Sequence, residues 1–205
     1  MENNAEFWDR VAKVYNVFVN VINAKTHKNL RNQIIPYFNN CDTVLECACG
    51  TGMLTEAIAP ICKKLIATDF SKKMLLKANQ KCKNHKNICF MVADILHLDF
   101  ADGSFDKVIA ANVIHLLHNP TQALIELERV CRPGGKIIIP TYINKKSNNK
   151  ENKFVRLIGK MGVKFKERFT FSEYCQFIRD AGYPHAKYIN VDGFIPCSIA
   201  VIDKK

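Results

Sequence analysis

No run of apolar residues in this sequence approaches the roughly 20 needed to cross a bilayer as a helix. The polar, acidic opening from Met1 to Glu6 has no cationic stretch leading into an apolar core, so no secretory signal is expected. The nine cysteines, at 41, 47, 49, 62, 82, 89, 131, 175 and 197, include no CxxC pair, which removes the short-spaced ligands a zinc site uses. Spread this thinly, they do not make the dense framework of a small secreted scaffold either. Most lie in apolar patterns such as Val44-Leu45-Glu46-Cys47-Ala48-Cys49, where cysteine acts as a small hydrophobe. Reduced thiols and a cytoplasmic location are the expectation. Only the Cys47–Cys49 pair has a spacing at which reactivity could be argued. Repeats and long low-complexity tracts are also missing. With 48% hydrophobic and 24% charged residues, the composition is that of an ordinary globular chain, and 205 residues are room for one domain.

Acidic residues are scarce beside basic ones, 19 against 30, for a net charge of +11. The excess is concentrated. Between Lys145 and Arg168 stand nine Lys or Arg and two acidic residues, Glu151 and Glu167. A solvated Lys-rich face is the plain reading; nucleic acid, or peripheral contact with an anionic surface, is the alternative.

Short β-branched runs alternate with longer helical patterns, which predicts an α/β protein with a mainly parallel sheet. Residues 6–38 read as one or two amphipathic helices ending near Pro36, a helical cap over positions 1–40. In a core over 41–140, strands are expected at Thr43–Cys47, Lys64–Asp69, Ile88–Ala93, Phe105–Ala111 and Lys136–Ile139, the last after a sharp turn at Arg132-Pro133-Gly134-Gly135. Helices are expected over about 53–62, from Lys72 to Cys82 behind Ser71 as N-cap, and from Thr121 to Val130. Residues 141–170 read as a lid-like insertion, with a polar loop from Tyr142 to Lys153 and a helical stretch from Phe154 to Val163. Over 171–205, Ser172 would cap a helix from Glu173 to Ala181. Strands Ala186–Val191 and Cys197–Asp203, joined through Asp192-Gly193, would form an antiparallel pair at the sheet edge.

Chemistry is concentrated in Glu46-Cys47-Ala48-Cys49-Gly50-Thr51-Gly52. A buried strand ends in a carboxylate, and small residues with two glycines lead into a helix start, where N–H groups and a partial positive charge face a ligand. A nicotinamide fingerprint would place a third glycine where Thr55 stands, so a different ligand is indicated. Asp69 ends the second strand, 23 residues after Glu46, where a carboxylate can accept both hydroxyls of a ribose. Asp94 ends the third strand and Asn112 follows the fourth. Ligands of open parallel sheets bind outside the carboxyl ends of the strands, so these groups converge on one crevice. Any one of them alone would be a turn residue.

These residues resemble the class I S-adenosylmethionine-dependent methyltransferases, in particular the small-molecule branch that includes the ubiquinone/menaquinone-biosynthesis type. Glu46–Gly52 looks like its glycine-rich motif, and Asp69-Phe70-Ser71-Lys72-Lys73-Met74-Leu75 resembles its acidic second-strand motif. Ala93-Asp94-Ile95-Leu96-His97-Leu98, Phe105-Asp106-Lys107-Val108 and Arg132-Pro133-Gly134-Gly135 match the segments that follow. Ala48 departs from the family, which has glycine there; alanine is comfortable only if its φ is negative. The resemblance implies a Rossmann-like seven-stranded sheet in the order 3-2-1-4-5-7-6, with strand 7 antiparallel and helices on both faces. It implies S-adenosyl-L-methionine as cofactor, S-adenosyl-L-homocysteine as product and in-line methyl transfer to a small-molecule acceptor, with no metal. Glu46, Ala48, Cys49, Gly50, Thr51 and Gly52 would surround the methionine part and Asp69 would hold the ribose. Phe70 and Met74 would pack on the adenine, and Asp94 with the Ile95 backbone would meet its amino group. Asn112 would line the crevice, and Tyr15, in the Trp8–Phe18 helical pattern, would close over the cofactor. His115 is the candidate for handling an acceptor proton, with packing or positioning as its plainer role. An RNA methyltransferase and a non-enzymatic cofactor-binding module remain as alternatives, since fold analogy alone does not fix function.

Overall fold

The central β-branched runs present apolar side chains to both faces, as strands covered by helices on either side do, while the edge strands are partly exposed. The computed structural model describes Asp9, residues 23–144 and residues 169–205. Its strands are β1 (Thr43–Cys47), β2 (Lys64–Asp69), β3 (Ile88–Val92), β4 (Phe105–Ala110), β5 (Cys131–Tyr142), β6 (Lys187–Val191) and β7 (Cys197–Asp203). They lie in the order β3-β2-β1-β4-β5-β7-β6. β1 pairs in parallel with β2 and β4, β2 with β3, and β4 with β5, whereas β7 runs antiparallel to both β5 and β6. The expected order and the antiparallel seventh strand are both found.

Alternation along the strands divides the core. Leu45, Val108, Ile137 and Ile139 face α4 (Pro120–Val130) and α5 (Phe171–Asp180), packing with Leu124, Leu127, Tyr174 and Ile178. Their neighbours Val44, Ile109 and Ile138 face the other way, onto Leu30 and Ile34 of α1 (Ala24–Ile34) and Leu54 and Ile58 of α2 (Met53–Ile58). Each such side chain, removed fully from water, contributes about 1.5–3 kcal/mol. The remaining helix, α3 (Lys72–Lys81), sets Leu75 and Ala78 over Ala67 of β2. Ser71 caps it as expected, its hydroxyl accepting the Met74 N–H at 3.1 Å.

Several boundaries shift by a residue or two, the helix expected over 53–62 gives way to a 3₁₀ turn after Ile58, and three further differences bear on the site. β5 does not stop at Ile139 but continues through Pro140 and Thr141 to Tyr142, because β7 pairs with it along its length from Lys136↔Asp203 to Tyr142↔Cys197. Thr141 and Tyr142, read as the start of the insertion, therefore belong to the sheet. The Arg132-Pro133-Gly134-Gly135 stretch lies within β5, and the irregularity it causes appears as a register shift between Phe105 and Lys107 on β4. The cap of α5 is Thr170 rather than Ser172: its hydroxyl accepts the Glu173 N–H and the Glu173 carboxylate accepts the Thr170 N–H, a reciprocal capping box. The expected 154–163 helix and the Trp8–Phe18 pattern with Tyr15 lie outside the described residues.

α1 is fastened to the turn between β6 and β7. The Asn23 carboxamide donates to Ile195 O and accepts from Ile195 N–H, while Thr26 Oγ1 donates to Asn23 Oδ1 at 2.6 Å. Gly193 permits this approach, since a Cβ there would stand 1.7 Å from Thr26 Oγ1. The clamp fixes the helix that carries His27 to the carboxyl end of the sheet.

Candidate active site at the carboxyl ends of the strands

Left-handed backbone at alternate positions makes the β1–α2 loop turn back on itself. Ala48 has φ 53°, Gly50 57° and Gly52 81°. Cys49 N–H donates to Thr68 O at 2.8 Å and Thr68 Oγ1 donates to Glu46 O at 3.2 Å, lacing the loop to the end of β2. Gly52 cannot be replaced without displacement: besides its φ, a Cβ would lie 3.0 Å from both Cα and Cβ of Ala78 on α3. Ala48 does not meet the condition set by its sequence. Its φ is positive, a conformation that costs an L-residue about 1–2 kcal/mol. Ala48→Gly should relieve that strain, and after the unfolded-state entropy of glycine is subtracted should stabilise the protein by about 0.5–1 kcal/mol. A thermal melt would show this as a rise of ~2 °C; an unchanged or lower midpoint would contradict it.

Asp69 joins the two motifs. Its Oδ2 accepts the Gly50 N–H and its Oδ1 accepts the Ser71 N–H, both at 2.8 Å. Burial pushes its carboxyl above the ordinary range, opposed by the backbone donors. Each carboxylate oxygen has a second lone pair, so the group can still accept from a vicinal diol. Ser71 Oγ donates to Asp9, whose carboxylate also accepts the Lys73 N–H at 3.3 Å, which sets Asp9 at the start of α3. Sequence reading had given Asp9 no role, and its contact with Ser71 is too distant along the chain to leave a local signal. Phe70, next in sequence to Asp69, is half-buried, and Met74 of α3 is buried. At the end of β3, Asp94 Oδ1 accepts the Leu96 N–H at 2.9 Å, and the intervening Ile95 side chain is turned into the core.

Glu46 is buried, and its Oε2 accepts from Thr55 Oγ1 at 2.7 Å. Burial first, with the charge of Asp69 adding to it, pushes its carboxyl up to about 8. It therefore sits below the loop as a largely protonated support. Cys47 and Cys49 are also buried; burial raises the Cys47 thiol to about 12 and the Cys49 thiol well above its ordinary value. A thiolate nucleophile at this pair is disfavoured.

On the β4 side, Asn112 adopts φ 54°, which asparagine tolerates, and its N–H donates to Pro140 O at 2.7 Å. Its Oδ1 faces Cys197 Sγ of β7 at 3.9 Å, so its side chain is directed across the sheet end instead of toward Asp69. His115, in the 3₁₀ turn Ile114–Leu116, is buried, and burial lowers its pKa to about 4. It packs against the Tyr142 ring with centroids 6.0 Å apart. Tyr142 and His27 were missed by sequence reading. The apolar run Lys136–Ile139 could have been followed through Pro140 to Tyr142, but nothing near His27 marks it.

A family model described as a methyltransferase domain matches residues 45–139. The chain is 35% identical over 141 residues to a ubiquinone/menaquinone biosynthesis C-methyltransferase, UbiE, of Bdellovibrio bacteriovorus, covering 64% of this chain and 58% of that protein. It is 31% identical over 140 residues to a demethylmenaquinone methyltransferase of Renibacterium salmoninarum, covering 67% and 58%. This chain thus spans less than two thirds of the length of either relative. A putative methyltransferase from Haloferax volcanii, solved in complex with the Trm112 methyltransferase activator, superposes with TM-score 0.76 over 97% of this chain and 98% of that one, at 18% identity. That last likeness concerns the fold alone. Taken with the strand order and the Asp69–Gly50 junction, these matches give the chain a methyltransferase-type domain that resembles the class I S-adenosylmethionine-dependent methyltransferases of the ubiquinone/menaquinone-biosynthesis type.

Proposed function

We propose that the protein transfers a methyl group from S-adenosylmethionine to a small-molecule acceptor, with a quinone-type ring, as in the names of the matched relatives, the first class to test. The observation that carries the reading is the Asp69 carboxylate, half-buried at the end of β2 and tied to the glycine loop through Gly50 N–H. A ribose donating two hydroxyls would restore the hydrogen bonds that burial removes from this group. The residues therefore fit the cofactor, with Asp69 on the ribose, the 48–52 loop around the methionine part, and Phe70, Met74, Asp94 and the Ile95 backbone around the adenine. Tyr15, which lies outside the described residues, would close over the cofactor.

Bound S-adenosylmethionine would supply a methyl group already activated on a sulfonium. What this chain must do is align the acceptor with that carbon and keep water out. His115 fits positioning better than proton abstraction, because a buried imidazole whose pKa has fallen to about 4 binds a proton weakly at neutral pH. Titration calorimetry with S-adenosylhomocysteine should give one site per chain. Absence of heat on folded protein would overturn the reading. A panel of acceptors scored by S-adenosylhomocysteine release would then identify the substrate.

A further inference from the structure

Ser71, between β2 and α3, is fully buried, and each of its polar groups is engaged. Its N–H donates to Asp69 Oδ1 at 2.8 Å, and its carbonyl accepts the Leu75 N–H at 3.1 Å. Its hydroxyl oxygen accepts the Met74 N–H at 3.1 Å, and the hydroxyl proton goes to Asp9 Oδ1. Asp9 stands 62 residues earlier in the chain. The same carboxylate oxygen accepts the Lys73 N–H at 3.3 Å, and Oδ2 lies 3.8 Å from the Lys73 ammonium.

Part of this is helix capping. The first N–H groups of α3 have no partners within the helix, and Ser71 serves Met74 while Asp9 serves Lys73. Capping does not explain why a second carboxylate stands so near the first. The charge of Asp9 reaches Asp69 and opposes its ionisation. The Lys73 ammonium facing Asp9 is 62% exposed, so water screens most of what it could offset.

What the arrangement secures is the setting of Asp69. Gly50 grips that carboxylate at Oδ2 and Ser71 grips it at Oδ1, while Asp9 in turn holds Ser71. One lone pair on each Asp69 oxygen is left for a ligand. Without Asp9, the buried Ser71 hydroxyl loses the acceptor of its proton, a loss large enough to displace the residue that bears it. We propose that Asp9 is a positioning residue for the cofactor, fixing the Asp69 carboxylate, through Ser71, for the two ribose hydroxyls. The proposal rests on the methyltransferase reading above.

Calorimetry with S-adenosylhomocysteine on the full chain tests it. Asp9→Ala should weaken binding about tenfold, the effect of spoiling one of the two hydrogen bonds that Asp69 makes to the ribose. Asp9→Asn keeps an oxygen that can accept from Ser71 and Lys73, and should recover affinity to within about threefold of the parent. In an Asp69→Asn background the carboxylate to be positioned is gone, so Asp9→Ala should weaken binding there by less than about twofold. A role confined to holding α3 would give the same loss in both backgrounds. Equal affinity in the parent and Asp9→Ala would overturn the proposal, as would an undiminished loss in the Asp69→Asn background, or an Asp9→Asn protein as weak as Asp9→Ala. Thermal denaturation showing Asp9→Ala unfolded would overturn it too, by making Asp9 a support of the whole domain. Each of these outcomes leaves the methyltransferase reading standing while the parent binds S-adenosylhomocysteine. No binding by the parent would remove both.

Discussion

Asp69→Ala should weaken S-adenosylhomocysteine binding at least about a hundredfold. Two hydroxyl bonds to a carboxylate, each worth about 1.5–3 kcal/mol, are removed together, and 1.4 kcal/mol is a factor of ten. A second loss adds to the first. Without the carboxylate, the Gly50 and Ser71 N–H groups lose their acceptor, and the loop loses its tie to the end of β2. Asp69→Asn separates the contributions, since its oxygen still accepts one hydrogen bond but no charge remains; its affinity should fall between the two. The sheet should survive both changes, because Asp69 lies at the end of its strand and the neighbouring Ala67 and Thr68 hold the register. Calorimetry paired with thermal denaturation distinguishes the outcomes. Unimpaired affinity in a folded Asp69→Ala protein would show that the ribose binds elsewhere.

Asp69 was legible in the sequence because it combines three local signals: the end of a β-branched run, a following Ser71 cap and a fixed distance from the glycine loop. The strand order was legible through the family resemblance, and each strand through its own apolar run. What escaped depends on pairs far apart in the chain. The last three residues of β5 look like a broken strand, since Pro140 has no N–H to give. They remain in the sheet because β7 pairs along them, and because the carbonyl of Pro140 accepts the Asn112 N–H. An alanine side chain favours negative φ at position 48, whereas the lacing of Cys49 to Thr68 and of Gly50 to Asp69 imposes the opposite sign. His27 and Tyr142 are 115 residues apart, and their elements meet through the clamp between Asn23 and Ile195 and the packing of Leu30 and Ile34 on the sheet.

Glu46→Gln should alter the pH dependence of stability more than any other change beneath the loop. The folded protein holds the Glu46 proton up to about pH 8, against an ordinary value of 4.5. The folded state therefore binds this proton more tightly than the unfolded chain does. Its contribution to stability is fully present below the unfolded value and is lost as pH rises from 4.5 to about 8, above which the core carries an ionised carboxylate. Thr55 donates to that carboxylate and the charge of Lys81 favours it, but burial and the nearby Asp69 oppose it more strongly. Glutamine has the same shape, keeps an acceptor for Thr55 and does not ionise. At about 1.4 kcal/mol for each unit of displacement, the difference in stability between Glu46→Gln and the parent should shift by on the order of 3–5 kcal/mol in favour of the glutamine between pH 4 and pH 9. Denaturant unfolding at several values across that range would measure it. Curves that run parallel for the two proteins would mean that Glu46 ionises at its ordinary value in the folded state, and that near neutral pH the loop rests on a buried carboxylate instead of a protonated one.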